Sequence, residues 1–159
     1  MRSVVGTPVV DVATSHYSVA MPVVSVRFSE DLHARLTAAA GEDAVPTSTL
    51  AQQAIEEWLK LRAHPGVVFR DGPSGRRAGL AAGPDIWEIV LVLRDQQGGP
   101  DERVAAAADY LGLTARAVET AARYWSAYPD EIDARIAAND DAVAREGEIW
   151  ERRQRLLGT

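Results

Sequence analysis

Val23, Ser25 and Arg27 alternate in the stretch VVSVRFSEDLHARL, and their side chains differ in what they can contact. The Arg27 guanidinium can hold two acceptors of a guanine edge at once. The Ser25 hydroxyl can bond a base or a phosphate, and Val23 can lie against a thymine methyl. Further on, Thr47 and Ser48 stand where a helix should begin, and the N–H groups of a first helical turn suit a phosphate. These five residues form a set suited to a nucleic-acid duplex.

Other chemistries find less support. The chain has no cysteine, which removes thiolate nucleophiles, disulfides and cysteine metal sites. Its histidines, His16, His33 and His64, share no metal-ligand spacing. The glycine-rich RDGPSGRRAG lacks the phosphate-loop spacing and its Lys-Ser/Thr pair, so a turn is expected there. No enzyme activity, metal or cofactor is expected. No apolar run approaches the roughly 18 residues of a membrane span. Gly6, Pro8, Asp11 and His16 break up the N-terminus, so neither membrane nor signal peptide is expected and the reading is cytoplasmic. A formal net charge of −6 over 159 residues argues mildly against an all-basic nucleic-acid binder but leaves room for a few placed arginines.

The elements that must position these residues come next. Val24, Val26 and Phe28 fill the positions between Val23, Ser25 and Arg27, a strand period with one buried face. Ser29 is a good N-cap for a first helix carrying Leu32 and Leu36, which Gly41 is expected to stop. Thr47 or Ser48 is expected to cap a second helix with Ile55, Trp58 and Leu59 on one stripe. One strand and two helices are too few to close a core. A second copy solves this: two strands pair antiparallel across a two-fold axis, and Val24, Val26, Phe28, Leu32, Leu36, Ile55 and Trp58 form a shared core.

VVSVRFSEDLHARL followed by AVPTSTLAQQAIEEWL resembles the ribbon-helix-helix family (CopG-like, Arc-like) of DNA-binding dimers. The resemblance covers about 40 residues. It implies a homodimer that lays its paired ribbon in the major groove.

Four segments are expected. Residues 1–21 form a β-prone arm, and 22–62 form the ribbon-helix-helix module. Residues 63–128 hold a hairpin, from Val67–Phe69 and Arg76–Leu80, then a helix capped by Asp85 and a helix-turn-helix pivoting on Gly112. HPGVVFRDG, DIWEIV and the helix pair make residues 64–128 similar to the domain-of-unknown-function 433 family. That resemblance implies an HTH-like core and a neighbouring PIN-like toxin. RRAGLAAGPD departs from the family's usual Gly-Thr-Arg-Ile/Val type of segment, which leaves any role of that segment open. Arg116, Glu119, Thr120 and Arg123 would be the exposed face of the second helix, a weak electrostatic footprint. Arg76 and Arg77 are further phosphate candidates.

Residues 129–159 read as an acidic helical tail that Asn139-Asp140-Asp141 interrupts or recaps. Near its end Ile149, Trp150, Arg152, Arg153 and Leu156 suit a protein partner, with Trp150 the anchor. The expected protein is mainly α: a dimeric ribbon-helix-helix followed by a small HTH-like module with a short hairpin. The expected function is an antitoxin that binds operator DNA, represses its own operon and neutralises a PIN-like nuclease toxin. The alternatives are a stand-alone dimeric regulator and a protein-binding adaptor that does not touch DNA.

Overall fold

The computed structural model describes residues 24–158. They are mainly helical. In chain order they form α1 (Glu30–Glu42), α2 (Thr47–Ala63), β1 (Val67–Arg70), β2 (Arg77–Leu80), α3 (Ile86–Asp95), α4 (Pro100–Leu111), α5 (Ala115–Ala127) and α6 (Pro129–Leu157).

Residues 24–29 lie outside any helix or strand, although their alternation predicts a strand. A strand exists only by pairing, and the described residues give this one no neighbour. Ser29 caps α1 as expected, accepting from the Leu32 N–H at 3.3 Å. Gly41 does not end that helix. α1 runs to Glu42 and closes at Ala44, where the chain turns left-handed at φ 54°. Val45 N–H donates to the Ala40 carbonyl at 3.0 Å and Ala44 N–H to Gly41 at 3.3 Å. This is the Schellman pair of bonds, with alanine where glycine is favoured. Neither Thr47 nor Ser48 caps α2: the cap is Pro46, which has no side-chain acceptor. Its carbonyl takes the N–H groups of Thr49 and Leu50 at 2.9 and 3.1 Å.

β1 and β2 pair antiparallel, Val67 opposite Leu80 and Arg70 opposite Arg77. Asp85 then caps α3, and the Glu88 carboxylate accepts from the Asp85 N–H at 2.8 Å. α4 begins at Pro100, because Gly99-Pro100 is a good start and Glu102 accepts from the Gly99 N–H at 2.9 Å. Gly112 closes it in the left-handed region, φ 65°, and Thr114 caps α5. α6 does not break at Asn139-Asp140-Asp141; it continues to Leu157. Those residues each cost a helix only a few tenths of a kcal/mol to about 0.7 kcal/mol.

The core gathers Val67 and Leu80 from the hairpin, Ile86, Ile89 and Val90 from α3, Ala107 and Ala108 from α4, and Val118, Ala121 and Tyr124 from α5. Ile132 and Ile136 of α6 complete it, so the packed unit extends past residue 128. Ala107 and Ala108 are the small residues that let α4 cross α5 closely. Most of α1 and α2 contributes nothing to this core; of the two, only Ala40 is buried.

Candidate nucleic-acid and partner interfaces

The N-terminal module presents an apolar surface that the other described residues do not cover. Val24 is 83% exposed, Phe28 41% and Leu32 43%, and Val26 is also exposed. On α2, Ile55, Trp58 and Leu59 occupy adjoining helical positions and all stay exposed. Leu36 is half-buried between α1 and α2. An isolated exposed leucine means little, but a set of seven large apolar side chains within 36 residues is unusual on a soluble surface. Six of the seven residues expected in a shared core are among them, and Leu59 adds to the set.

Ser25 and Arg27 are exposed between Val24, Val26 and Phe28. Val23 lies outside the described residues. Thr47 is half-buried and Ser48 exposed. As the first two residues of α2, they carry N–H groups with no helical acceptor. Neither hydroxyl caps the helix, since the N-cap position is Pro46.

The remaining cations are mostly engaged with carboxylates. Arg76 holds Glu57 with two bonds, at 2.6 and 2.9 Å, and reaches Asp71 at 3.1 Å. The Glu57 bonds hold its pKa above the ordinary arginine range, against the effect of burial. Arg77 and Arg70 converge on Asp85, Arg70 at 2.9 Å, and Arg70 also bonds the Gly83 carbonyl at 2.8 Å. Burial alone would raise the Asp85 pKa, but the two guanidiniums hold it below the usual carboxylate range. Arg76 and Arg77 therefore tie the hairpin to α2 and α3 rather than standing free for phosphate. A Cβ at Gly79 would push the Arg70 guanidinium off its place beside Asp85.

On the second helix pair Arg116, Glu119 and Arg123 are exposed as expected, but Thr120 turns inward. Thr120 is buried, its hydroxyl donating to the Arg116 carbonyl at 2.9 Å, and Arg123 donates to Thr120 at 3.2 Å. Of the expected exposed set, Thr120 is thus a structural residue. His64 packs edge-on against Tyr124 and Tyr128, with ring centres 5.2 and 5.5 Å away. Among the described residues, no group of three or more His, Asp or Glu could hold a metal. No described helix is long and apolar enough to cross a membrane.

Beyond Ile136, α6 leaves the core. Every residue from Asp140 to Arg153 is exposed, including Val143, Ile149 and Trp150. Arg152 and Leu156 are exposed as well, so the five residues expected at a protein interface all sit on this projecting half. Val143 and Leu157 extend the same apolar set in both directions; the seven-residue spacing of Val143, Trp150 and Leu157 was the sequence signal for it. Compared with protein-family models, curated proteins and solved structures, the chain matches none.

Proposed function

We propose that this protein is a dimeric DNA-binding antitoxin. Residues 22–62 dimerise through Val24, Val26, Phe28, Leu32, Leu36, Ile55 and Trp58. The paired ribbon presents Val23, Ser25 and Arg27 to the major groove, and the start of α2 at Thr47 and Ser48 meets phosphate. Binding at the operator represses the protein's own operon. The far half of α6, with Ile149, Trp150, Arg152, Arg153 and Leu156, neutralises a PIN-like nuclease toxin, an arginine reaching the acidic groups around its metal. The observation that supports this most is the exposed apolar set of the N-terminal module, interleaved at the ribbon with Ser25 and Arg27.

The test has two arms. A mobility-shift titration compares the DNA upstream of the gene with a scrambled duplex at fixed salt. Tight binding to the first and at least about a thousandfold weaker binding to the second is expected. Equal binding, or none, removes the DNA function. In the second arm, cells express the neighbouring toxin with either the full chain or a chain lacking residues 137–159. Rescue by the full chain alone is expected. Rescue by both places inhibition elsewhere, and an operon with no toxin leaves a stand-alone regulator.

A further inference from the structure

The far half of α6 repeats itself. Ala142-Val143, Ile149-Trp150 and Leu156-Leu157 follow one another at seven-residue intervals. On a helix the two columns lie about 100° apart, and one column runs between them. That middle column holds Glu146 and Arg153, also seven residues apart. Both are exposed. The neighbouring charges of this helix pair along it, Arg152 with Glu148 and Arg155 with Glu151. Glu146 and Arg153 have no such partner, because the residues three and four positions away from them on this face are apolar.

We infer that this face pairs antiparallel with the same face of a second copy, about a two-fold axis between Ile149 and Trp150. Residues equidistant from that axis lie at one level. Val143 then meets Leu156 of the second copy, Trp150 meets Ile149, and Ala142 meets Leu157. Glu146 meets Arg153, and Arg153 meets Glu146. Each apolar position meets an apolar one and each charge its opposite, with no remainder. A parallel pair in register would set Glu146 against Glu146 and Arg153 against Arg153. The paired length is about 24 Å. Such a short pair gains from chains already joined at the N-terminal module, which raises their local concentration. The pairing does not depend on DNA or toxin binding; a toxin docking on Trp150 would exchange with the second copy.

The full chain has no cysteine, so single cysteines report the geometry cleanly. Glu146→Cys and Arg153→Cys proteins are prepared separately, then oxidised alone and mixed. The antiparallel pair gives a covalent dimer in the mixture and little in either protein alone. Covalent dimers of each protein alone would mean parallel pairing. No covalent dimer in any sample would mean that this face does not pair with itself. Either outcome overturns the inference. A second series uses Ile149→Cys, whose sulfurs lie close to the axis. Its cross-linking rate should fall about tenfold when Glu146→Arg or Arg153→Glu is added, and return when both are present. Failure of the double exchange to restore the rate would contradict the pairing of Glu146 with Arg153.

Discussion

Lys60 of α2 and Glu131 of α6 are 71 residues apart in sequence and meet at 2.7 Å. Glu56 holds the same ammonium at 2.9 Å, and the Tyr128 ring lies 4.8 Å below it. The Tyr124 hydroxyl donates to Glu131 at 3.0 Å from within the core. This cluster, with the Arg76–Glu57 pair, fastens the N-terminal module to the packed unit behind it. Lys60→Met should therefore cost about 1–3 kcal/mol, because it leaves a part-buried carboxylate without its cation. Urea titration of the full chain measures this, and an unchanged midpoint would show that the contact holds nothing.

The same cluster sets the alkaline limit. Burial works against the Lys60 charge, but the bonds and charges of Glu131 and Glu56 raise its pKa above 10.5 overall. Burial, then the Glu131 carboxylate, raises Tyr124 above the ordinary tyrosine range. Both folded pKa values exceed the unfolded ones, so both contributions are complete below pH 10 and fade as pH rises above it. Thermal midpoints should be level from pH 7 to about 9 and fall above about pH 10. Tyr124→Phe should flatten part of that fall.

Asp85 acts in the opposite direction. Its folded pKa is depressed by Arg77 and Arg70, so its contribution is present above its ordinary value near 3.8 and is lost as pH falls through the folded value. Asp85→Asn should cost about 3 kcal/mol at pH 7, since it leaves two guanidiniums unpaired. The gap between variant and wild type should narrow in acid. A gap that stays constant from pH 7 to pH 2 would mean that Asp85 serves only as a cap.

Gly41 and Ala44 are in each other's natural places. Gly41 lies inside α1 with open space around it, while Ala44 occupies the left-handed position that ends the helix. Gly41→Ala and Ala44→Gly should each stabilise the protein by about 0.5–1 kcal/mol. Thermal unfolding of the double variant should show a nearly additive rise. A drop for Ala44→Gly would contradict the left-handed turn.

That exchange also shows where sequence reading stops. Glycine is the default signal for a helix end, but the left-handed turn falls three positions later, at Ala44. The caps Ser29 and Asp85 and the Gly112 turn were legible, because each is a local rule met by one side chain or one φ value. The hairpin was legible from its turn residues to within a residue. The continuity of α6 was not, since Asn139-Asp140-Asp141 suggests a break that a long helix overrides. The ion pairs of Arg76, Arg77 and Lys60 were beyond reach: their partners are set by how α2, the hairpin and α6 pack, and no spacing encodes that. The alternation at Val24, Val26 and Phe28 was visible at once, yet residues 24–29 form neither helix nor strand, because no described segment pairs with them.

Phe28→Asp should dissolve the proposed dimer. It places a carboxylate among Val24, Val26 and Leu32 of two protomers, at a cost of several kcal/mol. Sedimentation should show wild type as a dimer or larger at micromolar concentration, and the variant shifted to a smaller species with α3–α5 still folded. An unshifted variant would place the N-terminal contact elsewhere.

The most direct measurement is a mobility-shift titration of wild type and Arg27→Ala on the upstream DNA and on single-base variants of it. Arg27 is exposed and holds no bond within the chain, so thermal stability should hardly move. Removing its bidentate contact should lose about 1–3 kcal/mol of discrimination per half-site, most of it at one guanine. Loss of preference at that base with an unchanged thermal midpoint is the predicted result. Unchanged affinity and base preference would remove Arg27, and with it the DNA-reading ribbon, from the account.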